Sequence, residues 1–415
     1  MSGRDVAGGV AAGLVALPSA TAFGLLVVAP LGPALATTGA SLGMLGAATI
    51  GVLAAFFGGA PRLISAPCAP AAAMLAGFVG HLVSGGSSAR ALGLLALVGV
   101  LTGLMQLGLG VLRAGRFIKF IPYSVVAGYM SGVGAIIVLA QLPKLFGATA
   151  LRTIAEDAHW DAALIGCVTA AVMFFAPRLT TRVPAPILAL AAGVLSYIGL
   201  RIFGDPRALA AGGPLVVGAV QTDAGTWIQS VSEPWRALAG LTAFELRLIL
   251  VQATTLAVLL SIDTLKTCVV LDSLTSSRHE SNRELVGQGV ANLFSACLGG
   301  MPGAGTMGAT LVNVHGGGKH RSSGLVAGAV SLVILLFLPS LFAWLPTAAL
   351  AGILVVVGLR MVDTKTFALA RKRETALDFL VVAVVCIVAV SLDLLAAAGA
   401  GVALSIVLFL RDQMR

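Results

Sequence analysis

The sequence predicts an all-α, polytopic membrane protein with fourteen transmembrane segments. Of its 415 residues, 58% are hydrophobic and only 10% are charged, and the mean hydropathy is +1.01. Soluble domains carry about 25% charged residues, so this chain has too few to cover its apolar surface. Its 51 glycines suit membrane helices that pack closely. The composition therefore favours a helix bundle in lipid.

The apolar segments between polar interruptions give the fourteen spans, since a helix needs about 20 apolar residues to cross the hydrocarbon core. The predicted spans are 8–29, 34–57, 63–83, 90–112, 120–142, 160–177, 184–203, 244–270, 285–299, 304–314, 322–343, 346–361, 375–392 and 395–410. The ninth and tenth are too short to cross alone. The polar stretch 204–243 is predicted to be an external loop.

The basic residues predict the orientation. With fourteen crossings and a cytoplasmic N-terminus, most of the 26 Lys and Arg residues fall at cytoplasmic helix ends. Both termini are then cytoplasmic, in a bacterial-type inner membrane. This bias explains the net charge of +9 without nucleic-acid binding. The five cysteines lack the spacing of a metal site, so neither a metal nor a cofactor is expected, apart from Na⁺ as a coupling ion.

Two sequence matches lie seven spans apart. Residues 121–128 at the start of the fifth span match 345–352 at the start of the twelfth, and Gly-Gly-x-Pro occurs at 58–61 and again at 299–302. Because seven is odd, the two halves enter the membrane from opposite sides. The sequence therefore predicts a 7+7 inverted repeat.

The third and tenth spans are interrupted at repeat-related positions. Pro67 and Pro70 prevent a continuous helix in one, and the glycines of 299–305 interrupt the other. Each helix start exposes unpaired N–H groups and about half a positive charge. Two starts that face one cavity would bind an anion without a metal. Kinks in packing helices are the alternative interpretation.

Two charges lie inside the eighth span, where each costs about 2.5–3.5 kcal/mol on insertion scales. Asp263 and Lys266 are three residues apart and could neutralise each other. Asp263 is predicted to couple transport to Na⁺ or H⁺. Lys266 would add positive charge to the anion site or take the place of a coupling cation. A purely structural pair is the alternative.

The first span offers polar groups beside a proline. Pro18 predicts a break in this helix, Ser19 and Thr21 carry hydroxyls that could donate to an anion, and Phe23 could wall the pocket. A kinked packing helix would have the same composition.

Four stretches, 17–24, 62–67, 278–292 and 299–305, resemble the sulfate permease (SulP) family of anion transporters, to which prestin also belongs. The resemblance extends from about residue 5 to 410. It implies a core domain of residues 5–142 and 244–343, bounded in the fifth span near residue 117, and a gate domain of residues 117–203 and 346–411. It also implies an elevator-like motion of the core and a homodimer. Since only four residues follow Arg411, the STAS domain usual in the family is not expected.

The broken helices and the resemblance together give the site residues. The predicted substrate-binding residues are Ser19, Thr21, Phe23, Ala66, Cys68, Ala69, Gly305, Thr306, Met307 and Lys266, and the predicted coupling-ion residues are Asp263, Thr267, Gly305, Thr306 and Cys68. Three positions depart from the family: Cys68 stands for a Thr, Ser19 for a frequent Gln, and Ala309 for an Arg near the anion. We expect Lys266 to supply the positive charge that this Arg would provide.

The sequence thus predicts a secondary active transporter of a sulfate-, bicarbonate- or carboxylate-class anion, and not an enzyme. One alternative is a nucleobase or ascorbate permease of the same fold, for which the tenth span lacks a second acid. The other is an uncoupled anion channel or exchanger. The expected partners are a small anion, membrane lipid and a second copy of the chain, without nucleic acid.

Overall fold

The helices of the computed structural model follow the predicted spans in order. The structure describes residues 2–82, 87–116, 123–148, 151–180, 183–203, 216–218, 224–338, 340, 344–362, 366, 376–391 and 394–413. The helices that correspond to the fourteen predicted spans are α1 Gly3–Val28, α2 Ala36–Phe57, α3 Ala69–Leu82, α4 Ser88–Val111, α5 Tyr123–Leu145, α6 Trp160–Leu179, α7 Ala185–Phe203, α8 Ala243–Thr275, α9 Ser281–Cys297, α10 Met307–His315, α11 Arg321–Phe337, α12 Thr347–Met361, α13 Ala376–Ser391 and α14 Leu394–Gln413. Two short strands, β1 Ser65–Pro67 and β2 Gly303–Gly305, precede α3 and α10.

The described helices differ in their ability to cross a membrane. Seven of them are long and apolar enough to cross a membrane, namely α1, α2 and α4 to α8. A further four, α3, α11, α12 and α13, are apolar but shorter. α8, with 33 residues, is about 50 Å long and exceeds the hydrocarbon core of about 30 Å.

Local sequence sets the ends of the longest helices. α1 begins with a capping box in which Ser2 accepts from the Asp5 amide and Asp5 accepts from the Ser2 amide. Thr242 and Glu245 form the same arrangement at the start of α8. α8 ends where Ser276 adopts a left-handed conformation, with a φ of 50°.

Four boundary predictions need correction. α3 begins at Ala69 and α10 at Met307, because the residues before them form strands. α1 is not broken at Pro18, which lies inside a continuous helix. α8 runs to Thr275 rather than to residue 270. The loop 204–243 contains an amphipathic helix, Ala224–Arg236, while 204–215, 219–223 and the domain boundary near 117 lie outside the described residues.

The helices pack in two groups. One comprises α1 to α4 with α8 to α11, and the other comprises α5 to α7 with α12 to α14. The groups meet mainly where α1 and α3 contact α5, α7 and α12. α1 and α2 cross at Gly24 and Gly43, where a Cβ would collide with the backbone of the opposite helix. This grouping follows the predicted core and gate; the assignment of domains stays a prediction.

Candidate functional site

Both interruptions predicted from the sequence exist, and they are hydrogen-bonded to each other. β1 pairs antiparallel with β2, with Ser65 opposite Gly305 and Pro67 opposite Gly303. α3 leaves one end of this pair and α10 leaves the other. The two helices therefore start beside the same two-stranded bridge and run in opposite directions.

Both helix starts retain backbone amides that their own helices do not use. Thr306 is the N-cap of α10, yet its side chain makes no capping hydrogen bond. α3 starts after Cys68, whose carbonyl accepts from the Ala72 amide at 3.0 Å. The thiol of Cys68 interacts with the Ala71 amide, and Pro70 has no N–H to offer. α10 is thus the more open of the two amide clusters.

Hydroxyls of α10 hold the chain that enters β1. Thr306 donates its amide at 2.8 Å and its hydroxyl at 3.2 Å to the Ile64 carbonyl. The Ile64 amide donates to the Thr310 hydroxyl at 3.0 Å. Asn313, one turn further along α10, donates to the Arg62 carbonyl at 2.9 Å. The start of α10 therefore fixes the position of the chain segment that leads into β1.

One buried face of α9 supports both strands. Glu284 accepts from the amides of Gly59 and Ala60 at 2.7 and 2.9 Å, just upstream of β1. Gln288 donates to Glu284 at 2.9 Å and to the Ser65 hydroxyl at 2.5 Å.

The same face reaches β2 through Asn292, which accepts from the Gly303 amide at 2.8 Å and donates to the Gly303 carbonyl at 3.0 Å. Asn292 also donates to Gln106 of α4 at 2.6 Å. Glu284, Gln288 and Asn292 are all at most 1% exposed. Buried polar groups of this kind rigidify a structure when they are paired.

α8 contributes one bond to the bridge and one ion pair beside it. The Gly305 amide donates to the buried Thr264 hydroxyl at 3.1 Å. Lys266 Nζ lies 3.2 Å from Asp263 Oδ1, and the two side chains are 43% and 14% exposed. An ion pair between Asp263 and Lys266 is therefore present. Lys266 is nevertheless far from buried, so its positive charge is partly accessible.

The predicted site residues lie on elements that meet at the bridge. α1 contacts α3, β1 and α10, and α8 contacts β2 and α3. Thr21 and Phe23 are buried, but the Thr21 hydroxyl donates to the Leu17 carbonyl at 2.8 Å, so its hydrogen is already used. Ala66, Cys68, Ala69, Gly305 and Thr267 are buried, while Ser19, Thr306 and Met307 are half-buried. Their binding roles stay predictions.

Sequence reasoning missed two sets of residues. The spacing of 284, 288 and 292 puts three polar side chains on one face of a helix, and this could have identified the support of the strands. Tyr129 of α5 gave no such signal. Its side chain is buried in the same cluster as Cys68 and Phe23, and its hydroxyl has no hydrogen-bond partner among the described residues. A buried unpaired hydroxyl is costly and calls for an explanation.

Known proteins that resemble this chain in sequence are membrane transporters. Residues 3–385 match the sulfate permease family. The chain is 33% identical over 419 residues to the bicarbonate transporter BicA of Picosynechococcus sp., covering 96% of this chain and 68% of the relative. It is 27% identical to the putative sulfate transporter YbaR of Bacillus subtilis, covering 98% of this chain and 76% of the relative.

A solved structure, the transmembrane domain of a cyanobacterial bicarbonate transporter BicA, superposes with a TM-score of 0.81 at 33% identity. The match covers 95% of this chain and 97% of the other. The fold is therefore the fourteen-segment inverted repeat predicted from the sequence, and the relatives are transporters and not enzymes. The chain is a multi-pass membrane protein that belongs to the sulfate permease family of anion transporters.

Proposed function

We propose that the chain is a secondary active transporter of a small oxyanion of the bicarbonate or sulfate class, with carboxylates as the next class to test. The β1–β2 bridge carries this proposal, because it holds the starts of α3 and α10 at the two ends of one short strand pair. An anion between them would accept hydrogen bonds from backbone amides and would experience the positive ends of two helix dipoles. The names of BicA and YbaR support bicarbonate and sulfate respectively.

The anion would lie against the open amides of Met307 and Gly308 at the start of α10. Gly308 is exposed, and a Cβ built on it would meet nothing within 4 Å, so this helix start adjoins open space. Phe23 and Ala66 would supply apolar walls and Ser19 a hydroxyl. The free hydroxyl of Tyr129 would donate from α5, which satisfies an otherwise unpaired buried group.

Coupling would pass through Asp263. With Thr267 on the same helix face, and with Gly305, Thr306 and Cys68 nearby, its carboxylate would bind Na⁺ or take up H⁺. Sulfur is a poor ligand for a hard cation, so Cys68 weakens the sodium arrangement. Lys266 would compete with any cation for the Asp263 carboxylate.

This competition favours a second candidate, an uncoupled anion exchanger. The Lys266 ammonium, 3.2 Å from Asp263, already provides the positive charge that a coupling cation would bring. Transport would then need no cation gradient, and the lysine would balance both the acid and the bound anion.

The transport cycle, the orientation in the membrane and the oligomeric state complete the proposal. The core, α1 to α4 with α8 to α11, would carry the anion past the gate in an elevator-type cycle. Both termini would be cytoplasmic in a bacterial-type inner membrane, and two copies would form a dimer.

Uptake of radiolabelled anions into proteoliposomes tests the proposal. We expect saturable uptake of bicarbonate or sulfate, competed by the unlabelled anion. Imposed Na⁺ and H⁺ gradients separate coupled transport from exchange, since an exchanger requires only an anion inside. Failure to transport any member of the panel, with empty liposomes as the control, would remove the proposed function.

A further inference from the structure

A groove on the outside of the bundle is lined by none of the predicted anion-site residues. It has a volume of about 650 Å³ and is lined by Ala55, Phe56, Phe57, Arg283, Val286, Arg321 and Leu325. Phe56 and Phe57 end α2, while the two arginines lie in the first turns of α9 and α11. The groove therefore combines apolar walls with two guanidinium groups at the ends of three helices.

The end of α2 holds both arginines in place. Arg283 Nε donates to the Phe57 carbonyl at 3.4 Å, and Arg321 Nη1 donates to the Phe56 carbonyl at 3.3 Å. These carbonyls are at the negative end of the helix dipole, where a cation is stabilised. Each guanidinium has five N–H donors, so most of them remain available to a ligand.

Close helix contacts keep the two arginines on either side of α2. A Cβ on Gly287 of α9 would lie 2.6 Å from the Gly58 backbone, and one on Gly324 of α11 would lie 2.7 Å from the Ala55 Cβ. α9 and α11 therefore lie directly against α2, one on each side. Phe56 and Phe57 are 61% and 41% exposed, so the wall between the arginines is open and apolar.

The two charged side chains that line the groove, Arg283 and Arg321, are both positive. Glu280 is one nearby acid, and its carboxylate is 3.9 Å from Arg283 Nη1 and 71% exposed, so it offsets that arginine weakly. Glu284, the residue after Arg283, is buried and accepts from the Gly59 and Ala60 amides. The amide of Lys319 donates to Asp5 at 2.8 Å, and the Glu280 amide donates to the Gly59 carbonyl at 3.3 Å. These bonds link the start of α11 to the start of α1 and the start of α9 to the end of α2.

We propose that this groove binds the headgroup of an anionic phospholipid. The two guanidiniums would hold the phosphate through charge-assisted hydrogen bonds, and one acyl chain would lie along Phe56, Phe57 and Leu325. Basic pockets between transmembrane helices suit such headgroups, and a cytoplasmic leaflet is rich in anionic lipid. The inference does not depend on which anion is transported.

Native mass spectrometry of the protein released from nanodiscs tests this inference. Nanodiscs would contain phosphatidylcholine, with or without a minor fraction of phosphatidylglycerol. We expect the wild type to retain phosphatidylglycerol in preference to phosphatidylcholine. Arg283→Gln with Arg321→Gln should lower the affinity for phosphatidylglycerol by about fivefold per arginine, on the order of thirtyfold in all, because each cation contributes about 1 kcal/mol at an anionic surface.

Arg178→Gln is the matched control. Arg178 also lies beside a phenylalanine pair, with its guanidinium carbon 5.4 Å from the Phe174 ring centre, but it is outside the groove. This variant should retain the lipid. Equal retention of both lipids by the wild type, or equal loss in Arg178→Gln, would overturn the proposal. So would a changed oligomeric state without a loss of lipid in the double variant, since the groove would then hold a second copy.

Discussion

The side-chain amide of Asn292 forms two hydrogen bonds with the backbone of a single residue, Gly303, accepting from its N–H at 2.8 Å and donating to its C=O at 3.0 Å. Asn292 thereby acts as a neighbouring strand would, and it leaves the other edge of β2 free to pair with β1. One buried side chain of α9 thus fixes the strand from which α10 starts.

We expect Asn292→Ala to lower the free energy of unfolding, because the Gly303 N–H and C=O lose their partners in a buried place. The loss should be about 1–3 kcal/mol for each group left unpaired. Unfolding in detergent measures it. Asn282→Ala is the control on the same helix, since Asn282 does not reach the strands, and a similar loss in both variants would contradict the role given to Asn292.

Lys266→Ala should reduce anion uptake by about tenfold or more, the equivalent of 1.4 kcal/mol or more. Without the lysine, the Asp263 carboxylate is left uncompensated near the anion site and repels the substrate. Replacing both Asp263 and Lys266 by alanine should recover part of the uptake if charge balance is the cause. Initial uptake rates in proteoliposomes measure both effects, and unchanged transport in Lys266→Ala would exclude the role.

Tyr129→Phe should raise the KM for anion uptake by about threefold to tenfold, the loss of roughly one hydrogen bond. The unliganded protein should be no less stable, because the hydroxyl has no partner to lose within the described part of the chain. Stabilisation by added anion should decrease in parallel, and melting curves with and without anion measure this.

Tyr197→Phe is the control for Tyr129. Tyr197 is also fully buried, but it packs in a separate cluster with Ile165 and Ala349. Its substitution should leave the KM unchanged. An unchanged KM in Tyr129→Phe would remove Tyr129 from the binding site.

Cys68→Ser should stabilise the protein and weaken anion binding. A serine at an N-cap accepts from a first-turn amide, worth about 0.5–2 kcal/mol, and it would engage the Ala71 amide more strongly than the thiol does. One amide would then be withdrawn from the anion. Thermal melting and the KM for uptake measure the two effects, and a lower KM would contradict this account.

The sequence predicted most of the architecture because membrane helices leave a strong signal. Apolar length located the fourteen spans, and the prolines at 67 and 70 with the glycines of 299–305 located both interruptions. The strands themselves were not predicted, since three residues such as Ser65–Pro67 have no periodicity to detect and pair only through a partner far away in the chain.

The details of the site were harder to predict than the fold. Pro18 indicated a break, but α1 is continuous at that point, which shows that a proline alone does not end a helix held by its neighbours. Tyr129 resembles any aromatic residue of a membrane helix, and only its burial in the same cluster as Cys68, with no hydrogen-bond partner for its hydroxyl among the described residues, distinguishes it. Such information depends on tertiary packing.

The pairing of β1 with β2 has a mechanical consequence. Its backbone hydrogen bonds join the two inverted halves of the chain at the proposed anion site. Side chains of α9 hydrogen-bond to both strands. Neither helix start can move alone without breaking the hydrogen bonds between β1 and β2. If the proposed transport moves the site across the bilayer, the two strands and both helix starts would move as one rigid unit, and the change of shape would occur where this unit packs against the surrounding helices.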